Sequence, residues 1–321
     1  MQTGLKITAF AAGLAATFGA AYTVGGALDP AVAKEPSRHD GHGAKKDPAA
    51  ERRAAEGTAG RAPELPGGLQ VSEGGFALDL ATPRVEAGVP AELRFSVVDE
   101  GASRKVTAFR PEHGRELHLI VASNDLATYR HLHPERAADG TWSTPVELPE
   151  AGGYRVFADF TPDVKNAEGL TLGADLAVSG DARPEPLPRA ERTVTVDGYE
   201  VTLDGELRAG AGEELRLEVE KDGEPVTDLQ PYLGAYGHLV ALRAGDLAYL
   251  HVHPNGEPGD GRTKSGPEVS FTATAPSRGA YRLFLDFRHE GKVRTAAFTV
   301  HAGAAAGESV PKGGESAGHE H

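Results

Sequence analysis

The segment Tyr154-Arg155-Val156-Phe157-Ala158-Asp159-Phe160 recurs as Tyr281-Arg282-Leu283-Phe284-Leu285-Asp286-Phe287, and each copy follows a turn that contains Pro and Gly. Short segments of this kind, with period-two alternation and turn residues in front, read as strands rather than helices. Working outward, Leu93-Arg94-Phe95-Ser96-Val97 and Leu215-Arg216-Leu217-Glu218-Val219 repeat the same alternation. Nothing between residues 66 and 302 carries a sustained 3.6-residue spacing, so many short strands are expected in two copies.

The Gly-x-Tyr-x-Val turn at Tyr154 and the Gly-x-Tyr-x-Leu turn at Tyr281 have the pattern of a tyrosine corner, with Val156 and Leu283 where antibody domains place a cysteine. The expected fold class is all-β: two tandem immunoglobulin-like antiparallel β-sandwiches after an N-terminal signal or anchor helix.

The duplication is most explicit around the histidines. At an offset of 120, Val106/Val226, Pro111/Pro231, Gly114/Gly234, His118/His238, Tyr129/Tyr249, His131/His251, His133/His253 and Pro134/Pro254 coincide without a gap. Six of the 13 histidines therefore fall into two matching triplets. Histidine is a common metal ligand and titrates near neutrality, which directs the search for function to these positions.

A chain of 321 residues suffices for two ordinary domains. Its 41 Gly and 22 Pro fit a turn-rich architecture. The net charge of -14 argues against nucleic-acid binding and makes cations the natural partners. There is no Cys, and Met1 is the single Met. Thiolate and thioether sites for Cu(I) are thereby excluded, leaving metals that accept imidazole and carboxylate, such as Cu(II), Zn(II) or Ni(II).

Lys6 precedes an uncharged run, residues 7–28, followed by Ala31-Val32-Ala33. This reads as a signal peptide with an A-x-A cleavage signature, or as a membrane anchor; both place the remainder outside the cytoplasm. Residues 1–33 form that signal or anchor. Residues 34–66 are expected to be a disordered tether, 67–180 the first sandwich, 181–191 a Pro-rich linker, 192–302 the second sandwich, and 303–321 a flexible His-containing tail. His39, His42, His319 and His321 in the terminal segments are expected to be solvated, and His113 and His301 to be ordinary surface residues.

Turn signals lie between the histidines, Ser123-Asn124-Asp125 in the first copy and Ala244-Gly245-Asp246 in the second. A two-residue loop at each would place His118 opposite His131 and His238 opposite His251, with Cβ atoms about 4.5–5.5 Å apart. Residues i and i+2 share a face, which adds His133 and His253. Each domain would then offer three imidazoles to one metal ion. Asp159 and Asp286, each an acid in an otherwise apolar strand, are candidates for the fourth ligand; water is the alternative, and pairing of each Asp with a neighbouring Arg is the structural one. His289 has no counterpart in the first copy and is a weaker candidate.

The His-Leu strand and the His-x-His-Pro strand, set in a duplicated sandwich, resemble exported actinobacterial heavy-metal-binding-domain proteins and, more distantly, YtkA-like and CopC-type copper-carrier sandwiches. The resemblance covers both domains and implies extracytoplasmic metal handling at His118, His131, His133 and their copies. The chain departs from the copper carriers in lacking a Met-rich segment. Leu250-His251-Val252-His253 is also similar to the His-Val-His strand of copper-zinc superoxide dismutase, but the bridging histidine and zinc loop of that family have no match.

No nucleophile elbow, Walker loop or dinucleotide fingerprint occurs, so enzymatic turnover is not expected. The expected function is an extracytoplasmic copper- or zinc-binding protein with one three-histidine site per domain, for buffering or delivery. The rival is an interaction module of the cell envelope whose histidines only pack, with an envelope protein as partner; a dismutase-like copper enzyme is a minor alternative.

Overall fold

The computed structural model describes residues 65–250 and 252–303. The expected signal or anchor helix, the tail and His251 lie outside the described residues, as does the tether up to residue 64.

Among the described residues every regular element is a strand, and they build two immunoglobulin-like sandwiches. In the first, one sheet centres on Phe76–Leu80, Ala91–Asp99 and Thr141–Val146. The facing sheet runs Arg84–Glu86, Leu170–Ser179, Gly152–Pro162, Leu117–Ser123 and Tyr129–Leu132, with the first pair parallel. The second sandwich repeats this with Tyr199–Asp204, Gly212–Lys221 and Glu268–Thr274 against Lys292–Ala302, Gly279–His289, Gly237–Arg243 and Tyr249–Leu250.

Alternation assigns the core. Leu93, Phe95 and Val97 face Leu119, Val121, Val156 and Phe160, while Trp142 stacks on Phe95 at 6.3 Å. Leu215, Leu217 and Val219 meet Leu239, Ala241, Leu283 and Phe287 in the second sandwich. The two tyrosine corners form as expected: Tyr154 Oη donates to the Glu150 carbonyl and Tyr281 Oη to the Ser277 carbonyl, both at 2.8 Å.

Strand Leu117–Ser123 is buried along its whole length, so its second face also needs a partner. That partner is the second sandwich. Ile120, Ala122, Tyr129 and Phe157 pack with Val240, Leu242, Leu247 and Phe284 in one apolar cluster. The contact is reciprocal: Tyr129 stacks on Phe284 at 4.1 Å, and its copy Tyr249 lies 5.8 Å from Phe157. Equivalent faces of the two copies thus meet as across a local twofold axis. Because His118, Ile120 and Ala122 share one strand face, and His238, Val240 and Leu242 another, the histidines belong to this seam rather than to either core.

The hairpin register differs from the sequence expectation. Ser123 N donates to Thr128 O and Arg243 N to Ala248 O, each at 2.9 Å, so the connections are longer than two residues. Asp125 and Asp246 accept backbone N–H groups two residues on, from Ala127 and Ala248, both at 3.1 Å, and Leu126 and Leu247 turn the chain at φ 61. His131 consequently pairs with Ile120 instead of His118. The slip involves an even number of residues, which leaves His131 on the face it shares with His118.

Candidate metal centre

Near one end of the seam, His118 and His131 of the first sandwich converge with His238 of the second, one ligand nitrogen from each lying within 4.8 Å of the others. The ring of His118 stacks on that of its own copy, His238, at 5.4 Å and 14°. His131 approaches His238 to 4.6 Å between ring centres. The described residues therefore gather one set drawn from both sandwiches, not one set in each.

The outer nitrogens of two rings are held by acceptors. His118 Nε2 lies 3.2 Å from the carbonyl oxygen of Glu112. His131 Nδ1 lies 2.8 Å from Asp286 Oδ2, with both side chains almost fully buried at 3% and 2% exposure. A carbonyl and a carboxylate only accept, so each outer nitrogen carries the proton. With both rings neutral, the inner nitrogens, His118 Nδ1 and His131 Nε2, would confront each other with lone pairs at 3.2 Å. Two such lone pairs repel unless a proton or a cation lies between them. Two imidazoles on one tetrahedral ion, each about 2.0–2.1 Å from it, have nitrogens about 3.3 Å apart.

Two further buried nitrogens lack any hydrogen-bond partner, Nδ1 of His238 and Nε2 of His133. The His133 ring is 4.9 Å from His131 and 5.7 Å from His118. Buried polar atoms are rarely left unpaired, and a cation held by the converging rings would meet this lack at His238, with His133 beside the set. The residues present thus fit a metal ion: three or four imidazoles, with a carboxylate and a carbonyl behind them fixing the ring orientation.

Burial keeps three of these rings, His118, His133 and His238, neutral. It lowers His118 from 6.5 to about 3, with the neighbouring His131 as the next cause, and lowers His133 to about 4 in the same way. His238 is driven well below its ordinary value, again by burial first and His131 second. A neutral ring is the form that ligates.

The other expected ligands take different places. Asp286 does not face the inner nitrogens: its Oδ1 accepts the Thr295 hydroxyl at 2.5 Å and its Oδ2 holds His131, so it fixes the orientation of that ring. Its copy Asp159 pairs in register with His118 and accepts the Thr171 hydroxyl at 3.0 Å. Burial raises Asp159 to about 6. Neither Asp is paired with an Arg in these contacts. His253 is not among the converging nitrogens, because the chain changes sheet beside it: Tyr249–Leu250 pairs with Gly237–Arg243, whereas Val252–Pro254 pairs with Glu268–Thr274; it lines instead the cavity that borders His118 and His238. His253 is exposed, opposite Thr272, and the i, i+2 argument fails across that crossing. His289 is buried elsewhere, between the Tyr199 hydroxyl at 2.8 Å and Asp228 at 2.9 Å.

His113, read from sequence as an ordinary surface residue, is exposed but lies beside the group. Its ring is 6.1 Å from His118 and 6.0 Å from His238. The signal available was its place next to Gly114, one of the matched glycines that mark a tight turn in both copies. Tyr232, from the equivalent turn of the second copy, packs against the His131 and His133 rings at 6.4 and 6.0 Å.

Fold and site together define a tandem immunoglobulin-like protein that brings histidines of both repeats to one seam. The chain belongs to the family described as Domain of unknown function (DUF8832), which it matches over residues 70–168 and 194–304. No curated protein matches it. Among solved structures it is similar to FdeC, an Escherichia coli adhesin, at 14% identity and TM-score 0.23, over 73% of this chain and 65% of that one. It is also similar to InvD of Yersinia pseudotuberculosis, at 13% identity and TM-score 0.23, over 75% and 62%. The D0-D1 domain of intimin matches at 10% identity and TM-score 0.20, over 70% and 96%. The chain spans less than two thirds of the length of the FdeC and InvD chains.

Proposed function

We propose that the protein holds one Cu(II) or Zn(II) ion at the seam, outside the cytoplasm, and serves in metal buffering or delivery. His118, His131 and His238 supply the ligands, His133 completes or tunes the set, and Asp286 orients His131. The observation that carries this reading is the pair of inner nitrogens facing at 3.2 Å while both outer nitrogens are engaged by acceptors. The acidic chain favours cation capture, and the lack of Cys, with Met1 as the single Met, directs it to borderline cations. The rival reading, an envelope interaction module in which the histidines only pack, is favoured by the apolar seam, which needs no ion to close.

Metal content of the full chain after dialysis against equimolar Cu(II), Zn(II) and Ni(II) separates them. The shared site predicts close to one equivalent, lost in both His118→Ala and His238→Ala, because each sandwich donates to the same ion. Two equivalents, or one that survives in His238→Ala, would return the ligands to separate domains. Equal sub-stoichiometric binding in all three proteins would favour the packing role.

A further inference from the structure

The apolar cluster of the seam closes one side of the histidine group, so a cation has to exchange with solvent on the other side. There a cavity of about 470 Å³ borders His118 and His238 and is lined by Glu112, Asp159 and Glu257, with the exposed His113 and His253 also in its wall. The carboxylates concentrate cations in this space, and a concave acidic surface does so more strongly than a flat one.

His113 is presented by a turn built into the seam. Glu112 and Arg115 exchange backbone hydrogen bonds at 2.8 and 3.0 Å, with His113 and Gly114 at φ 51 and 76. The matching turn carries Leu233 and Gly234 at φ 53 and 74. The two turns abut: a Cβ on Gly234 would lie 3.4 Å from the Cα of His113. Since Leu233 occupies the same backbone conformation in the second copy, the conformation does not demand histidine, and the imidazole calls for another explanation.

We propose that His113 is the exchange ligand of the metal centre, taking a divalent cation from the acidic cleft and passing it to His118 and His238, and receiving it again on release. This rests on the metal-binding reading above. The ring is exposed where His118 is buried and His238 half-buried, and its centre is nearly equidistant from the two at 6.1 and 6.0 Å. An ion can therefore change partners stepwise without passing through a fully hydrated state. The transfer is ligand substitution only, with no change in oxidation state.

The test uses the full chain with Zn(II) as probe, following uptake from a coloured Zn(II)-chelator complex and release to excess chelator. His113→Leu, which copies Leu233, and His113→Asn, a residue that tolerates positive φ, are expected to slow both uptake and release on the order of tenfold while affinity stays within about threefold. Unchanged rates in both variants, with the parent still binding Zn(II), would overturn the exchange role and leave the metal site standing. A loss of affinity through faster release would also overturn it, by making His113 a resident ligand. A parent chain that takes up no Zn(II) would remove the underlying reading, and the inference with it.

Discussion

Replacing Asp286 by Asn should weaken Zn(II) binding without unfolding the chain. Asp286 Oδ2 accepts from His131 Nδ1 at 2.8 Å and Oδ1 from the Thr295 hydroxyl at 2.5 Å, in a site where the carboxylate is 2% exposed. Asn keeps the volume but loses the charge that makes His131 a basic ligand. If its amide nitrogen turns towards His131, that ring must place its proton on Nε2, the nitrogen aimed at the ion. Outer partners of metal-bound histidine typically account for about 10–100-fold in affinity, which is about 1.4–2.8 kcal/mol. Competition titration against a chelator of known affinity, on the parent and on Asp286→Asn, reads this directly. Asp159→Asn is the matched control: it removes the duplicated carboxylate, which holds Thr171 rather than His131, and should leave affinity within about threefold. Equal affinities in parent and Asp286→Asn, or equal losses in the two variants, would refute the assignment of Asp286 as the residue that orients His131.

Acid should destabilise the metal-free protein. His118, His133 and His238 stay neutral when folded but bind protons near pH 6.5 when unfolded, so the unfolded state takes up more protons as pH falls from 6.5 towards 3. Asp159, raised to about 6, acts in the opposite sense between about pH 6 and 4 but is one group against three. Melting temperatures in chelator should therefore fall from pH 7.5 to pH 5; a flat profile would contradict the buried neutral rings. Phe284→Ala removes the ring stacked on Tyr129 at 4.1 Å and should cost about 3–5 kcal/mol by chemical denaturation, with metal binding lost as the seam loosens; a cost below about 1 kcal/mol would contradict the seam as described. Gly68→Ala should destabilise by about 2–4 kcal/mol, because φ is 75 there and a Cβ would fall 2.4 Å from the Phe157 ring. Equal melting curves for parent and variant would show that the segment does not dock as described.

The strands and both tyrosine corners were legible because alternation and turn residues are local signals. Leu117-His118-Leu119-Ile120-Val121-Ala122 also contained the seam, since a strand apolar on both faces needs partners on both sides. That run reads equally well as a core strand, so the docking of one copy on the other was not apparent. The paired histidines were recognised, but their grouping was not, because a hairpin drawn in isolation has no second sandwich to donate His238. The four-residue turns and the change of sheet beside His253 depend on Asp side chains and strand ends whose effect appears only in three dimensions. His113 was missed for a related reason: its ring matters through residues from another strand and the other domain.

The reciprocal contact of the two repeats has a bearing on coordination number. An ion on the axis of a true homodimer sees ligands in identical pairs, so an odd set is forbidden by symmetry. Joining the copies in one chain lifts that restriction. One half can donate two imidazoles and the other one, and each half can change without its twin following. Here a nitrogen of His133 is buried while His253 is exposed in the cleft wall, and the turn that carries His113 at the cleft carries Leu233 in the other copy. Covalent tandem linkage thus lets a twofold scaffold carry a histidine group to which its two halves contribute unequally.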